Sequence, residues 1–211
     1  MGKCSQLSRS ICCFVLSFVT IGAASAASSG NSGNFTSDDG TFQTNLTLTA
    51  PSTLVAYTTS YATGGFVPVL SLFNQANGDF VVLNGGDASC TNGRLKDGTT
   101  GLCDDAYLSA SLSAGNYLVV LTQFYNFPNG NYSDGFSQAG TGNFTAAACQ
   151  ATGSFWQVDV SPCVQRSGNY ALAINAAAPV PEPTTGCLML GALAGVALAL
   201  CRNKINRVPL P

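Results

Sequence analysis

Apolar and polar positions alternate along residues 41–49. Phe42, Leu46 and Leu48 fall on one parity, and Thr41, Gln43, Asn45, Thr47 and Thr49 on the other. A period of two predicts a strand with one dry face. Residues 107–112 repeat the pattern, with Leu108, Ala110 and Leu112 opposed to Tyr107, Ser109 and Ser111, and residues 169–174 do so through Tyr170, Leu172 and Ile174. Residues 53–61 and 67–73 are β-branched and aromatic, which suits strands, with Pro68 tolerated only near a strand start. Asn77-Gly78 is a hairpin-turn pair that sends residues 80–83 back. Residues 117–121 are apolar on both faces, as a central strand requires. Residues 144–148 and 155–160, the latter with Trp156, complete the set. Two long loops are predicted, at 84–105 and 126–142, and a flexible Ser/Gly/Asn leader at 27–33. No stretch between the two ends of the chain keeps a helical period. Eight or nine short strands predict an all-β domain, a jelly-roll-like β-sandwich.

Both ends break the pattern. Lys3 and Arg9 precede an apolar run at 11–21 and then Ala24-Ser25-Ala26, the layout of a secretory signal peptide cleaved after Ala26. At the other end, residues 184–200 carry no charge. Their seventeen residues make roughly 26 Å of helix against a hydrocarbon core of about 30 Å, a shortfall that the Arg202 and Lys204 stems can cover by snorkelling. The basic tail, Arg202, Lys204 and Arg207, predicts that this end stays cytoplasmic. Pro181, Glu182 and Pro183 stop any helix upstream. The expected organisation is a signal peptide at 1–26, an exported domain at 27–178, and a terminal segment at 179–211 with a transmembrane helix over 184–201. Before processing, such a precursor is held in the inner membrane.

Composition narrows the function of residues 27–178. Nine aspartates face three bases, Arg94, Lys96 and Arg166, for a net charge of −6. Nucleic-acid binding is excluded, because phosphates need clustered cations. The chain has no histidine, and its one glutamate, Glu182, lies outside the exported domain. Ser-His-Asp and Cys-His hydrolysis and His-ligated zinc are therefore excluded. Two aspartates can still run glycosidase chemistry, but no spacing singles out a pair.

Four cysteines fall in the exported domain: Cys90, Cys103, Cys149 and Cys163. An even count in an exported chain predicts disulfides. Of three pairings, Cys90–Cys103 and Cys149–Cys163 are favoured, since each brackets a loop-like stretch of similar length. Closing loops of this size stabilises by about 3 kcal/mol each on the chain-entropy account.

Pro181-Glu182-Pro183, the small-residue apolar segment and the basic terminus together resemble a PEP-CTERM sorting signal. The resemblance implies recognition by an exosortase, a membrane transpeptidase-like protease of Gram-negative bacteria that make exopolysaccharide. The run from Gly64-Gly65-Phe66 to Phe73, the Asn77-Gly78 turn, and Leu112 to Gln123 are similar to a family of uncharacterised PEP-CTERM exoproteins and to the β-sandwich appended to bacterial secreted peptidases. In such sandwiches loop aspartates sometimes bind calcium, which takes 6–8 oxygen ligands. The matching positions are Asp38, Asp39, Asp87, Asp104 and Asp105; Val67 stands where the family commonly has an acid. The competing reading is that these aspartates form turns by bonding local backbone. Tyr117, Phe124, Tyr125, Phe127, Tyr132 and Trp156 either stack on sugar rings or pack in the core and anchor the second loop. The functional expectation is a non-catalytic exported protein of the cell surface or exopolysaccharide matrix. The alternative is a glycan-binding module, with or without calcium, and an Asp-based hydrolase is third.

Overall fold

The computed structural model describes residues 26–85 and 90–178, which belong to one compact unit, Ala24–Val180. Strands β1 (Ala26–Asn34), β2 (Thr41–Leu48), β3 (Ser52–Thr58), β4 (Pro68–Asn74), β5 (Phe80–Gly85), β6 (Tyr107–Leu112) and β7 (Gly115–Gln123) come first. A five-residue helix α1 (Phe144–Ala148) follows, then β8 (Trp156–Gln157), β9 (Val164–Gln165) and β10 (Asn169–Ala177). One sheet has the order β1-β10-β3-β6 and the other β2-β7-β4-β5; β8 and β9 form a small pair. All ladders between named strands are antiparallel. Apart from the β4–β5 hairpin and the β8–β9 pair, each strand crosses to the opposite sheet. That interleaving is a jelly roll.

Alternation places the core. Leu54 and Ala56 of β3, Leu108 and Leu112 of β6, and Leu172, Ile174 and Ala176 of β10 point inward from the first sheet. Leu46 and Leu48 of β2, Leu70 and Leu72 of β4, and Tyr117, Val119 and Leu121 of β7 meet them from the second. Phe35, Phe66 and Phe155 join the same core as a stacked column, with ring centroids 5.2 and 5.6 Å apart. The alternating readings at 41–49, 107–112 and 169–174 are borne out. So is the central placement of 117–121, and its two-faced apolarity has a visible cause. Leu118 and Val120 pack on the outer face with Phe73, under Tyr132 and Phe136 of the second long loop.

Three expectations are corrected. Residues 27–33 are not a free leader: they form most of β1, paired with β10 from Ala26↔Ala177 to Asn34↔Asn169. Small residues suit that edge, because a Cβ on Gly33 would lie 2.5 Å from the Tyr170 hydroxyl. Residues 144–148 are helix, not strand. The sequence Phe-Thr-Ala-Ala-Ala has three strong helix formers, and Asp38 accepts hydrogen bonds from the Thr145 backbone and hydroxyl at its start. The strand at 155–160 shrinks to Trp156–Gln157: Phe155 sits in the left-handed region (φ 60°) and turns its ring into the core, and the chain bends away at residues 159 and 160. Among the described residues no helix is long and apolar enough to cross a membrane. Residues 1–25 of the expected signal peptide, Asp87 and the whole of 179–211, including Pro181, Glu182 and Pro183, lie outside the described residues.

Candidate functional site

The described candidate aspartates are held by the protein itself. Asp38 is fully buried between the β1–β2 connection and α1; one oxygen accepts from the Thr145 N–H (2.8 Å) and hydroxyl (2.6 Å), the other from the Phe155 N–H. Asp39 accepts from the Ser37 hydroxyl and the Gly142 N–H; the Ser37 bond leads in holding its carboxyl below the usual range. Asp105 accepts from the Thr58 hydroxyl (2.8 Å) and the Tyr61 N–H (3.1 Å). Asp104 accepts from the Gln157 amide (2.9 Å), and burial pushes its carboxyl up. Among the described residues no three His, Cys, Asp or Glu side chains come together as a metal site. Asp38, Asp39, Asp104 and Asp105 thus tie their loops to segments far away in sequence, a role wider than the local turns expected of them.

A polar hub that sequence reasoning missed underlies the first long loop. Arg166, next to β9, forms an ion pair with Asp97 (3.2 Å) and lies 4.1 Å from the centre of the Tyr61 ring. It also donates to the carbonyls of Gly65 and Tyr61. Asp97 accepts from the Thr99 and Thr100 N–H groups and the Thr100 hydroxyl. Burial works against its ionised form, but these bonds and the Arg166 charge outweigh it, so its carboxyl titrates below the usual range. The Tyr61 hydroxyl donates to Gln157 (2.8 Å), and burial pushes it up to about 12. Both predicted disulfides are present, Cys90–Cys103 and Cys149–Cys163.

The candidate aromatics divide. Tyr117 is buried in the core. Phe124, Tyr125 and Phe127 form a T-shaped cluster, with Tyr125 exposed. Phe124, Tyr125 and Trp156 border a void of about 10 Å³, room for a single water at most. Tyr132 borders a larger groove, about 280 Å³, on the outer face of the second sheet. Its floor is Phe73 and Leu118, and Gln43, Asn45 and Gln75 line it with Tyr132. The Tyr132 hydroxyl donates to Gln43 (2.7 Å), and the Gln75 amide donates to Asn45 (2.9 Å). The polar parity of β2 was visible in sequence; the approach of Gln75 to Asn45 was not, because it depends on how β2, β7 and β4 align.

A disulfide-bonded jelly roll with few charges defines a class, the exported β-sandwich domains. Residues 179–203 match the PEP-CTERM protein-sorting motif, which indicates a secreted protein sorted through the membrane to the cell surface or extracellular space and implies processing by an exosortase. No curated protein matches the chain.

Proposed function

We propose that the mature protein is a non-catalytic component of the cell surface or of the exopolysaccharide matrix. The observation that carries this reading is that the buried acids of the domain are engaged by protein partners. In a domain without histidine or glutamate, aspartates are the carboxyl groups that remain for acid–base chemistry. Asp38, Asp104 and Asp105 are buried on protein donors, and Asp97 is held in an ion pair. Glycoside hydrolysis needs two carboxyls that flank a substrate cleft. The test incubates the purified exported protein with the host's own polysaccharide and follows new reducing ends. None above the buffer blank is expected, with the protein recovered in the surface or matrix fraction. Sustained release that Asp104→Asn abolishes would make it an enzyme.

A second reading, a glycan-binding module, is favoured by the groove beside Tyr132, where an aromatic ring and side-chain amides occur together. Its calcium-dependent form finds no support in the placement of Asp38, Asp39, Asp104 and Asp105. A melting scan with and without millimolar calcium is expected to give one temperature; a rise with calcium would restore that form.

A further inference from the structure

We infer that the groove on the outer face of the β2-β7-β4-β5 sheet is a binding site for a neutral polysaccharide; this rests on the second reading above and gives it a location. Gln43 and Asn45 stand two residues apart on β2 and are both exposed on the same face. Each amide is oriented by a bond to its carbonyl oxygen: Gln43 accepts from the Tyr132 hydroxyl and Asn45 from the Gln75 amide. Those bonds leave the N–H groups of Gln43 and Asn45, and the carbonyl of Gln75, with no side-chain hydrogen bond among the described residues. Phe73 and Leu118, both buried, close the groove from below, and the half-buried Tyr132 ring stands at one wall.

This combination selects a ligand class. A sugar hydroxyl gives and accepts hydrogen bonds, so it can answer an oriented amide donor and an amide acceptor together. The C–H face of a sugar ring can lie against the half-buried Tyr132 ring, the aromatic side chain of the groove that solvent reaches. No residue that lines the groove is charged, so an anionic or cationic polymer finds no counter-charge there. A wholly apolar ligand would strand the amides unpaired. The groove opens on the face of the sheet, and β2, its polar wall, is an edge strand; an extended peptide would pair along that edge rather than lie in the groove. Its volume of about 280 Å³ is at the small end of ligand sites.

The experiment is affinity electrophoresis of the full chain, expressed and exported in its native host and purified after processing. Native gels contain dextran, laminarin or a galactomannan as neutral polymers, or alginate as an acidic one. Retardation by at least one neutral polymer and not by alginate is expected. The double variant Gln43→Ala/Asn45→Ala should bind about tenfold more weakly, the loss of two modest hydrogen bonds. Both residues are exposed, so its melting temperature should stay put. Equal retardation of the variant would remove the groove as the site while leaving a glycan-binding domain. No retardation by any neutral polymer would overturn the site and the reading together. A dimer seen by light scattering and lost in the double variant would make the groove an interface between copies, against the inference.

Discussion

Asp97 and Arg166 carry opposite charges in the interior, where removing one partner leaves the other uncompensated. Asp97→Ala should therefore cost about 3–5 kcal/mol, read as a fall in the denaturation midpoint. A change within the range of surface substitutions would mean that the pair adds nothing. The folded carboxyl of Asp97 titrates below its unfolded value, so its contribution is present at neutral pH and is lost as pH falls below about 4. Asp104 has the opposite sign. Burial raises its folded value, so the charged form is disfavoured in the native state, and its ionisation removes stability as pH rises from the unfolded value through the folded one. Asp104→Asn keeps a carbonyl to accept from Gln157 and removes the titration. Its melting temperature, relative to the parent, should rise between pH 3 and pH 7; a difference independent of pH would discount the burial argument. At Gly168 a Cβ would stand 2.1 Å from the Phe35 carbonyl oxygen and 2.8 Å from the Phe155 ring. Gly168→Ala should destabilise by about 3 kcal/mol in thermal or urea unfolding, because the backbone must move to admit it.

Elements differed in how plainly the sequence foretold them. Strands with one wet and one dry face, β2, β6 and β10, announced themselves by parity. β1 did not: Ser, Gly and Asn carry no apolar signal, and its place comes from β10, whose backbone supplies the ladder, and from the small side chains that admit Tyr170. Helix α1 is too short for a period to register, and its start is fixed by Asp38, more than a hundred residues earlier. The groove was half legible. The polar face of β2 could be read, and Tyr132 stood out among aromatics, but only sheet alignment brings Gln75 to Asn45. The disulfides were legible because their loops are local. Each closes a stretch with ends 13 or 14 residues apart. Reducing either should cost about 3 kcal/mol on the chain-entropy account, and Cys149→Ser/Cys163→Ser measured against the parent under oxidising conditions checks the second. Equal stability would mean that α1 and β9 are held by their other contacts.

The whole molecule joins a jelly roll and a sorting motif. The motif at 179–203 begins two residues after β10 ends. Intact-mass measurement of the extracellular product should give a chain that starts at Ala27 and lacks residues 188–200; a product that retains them would contradict sorting by cleavage. The order of strands has a further consequence. The last strand made, β10, is an inner strand of its sheet, between β1 and β3. A nascent jelly roll of this kind cannot close early. Until residues 169–177 emerge, β1 has no neighbour and β3 has only β6, so the polypeptide stays loose enough to be threaded through a translocation pore. Closure of the sandwich therefore waits on the last strand, a delay set by the chain's own connectivity.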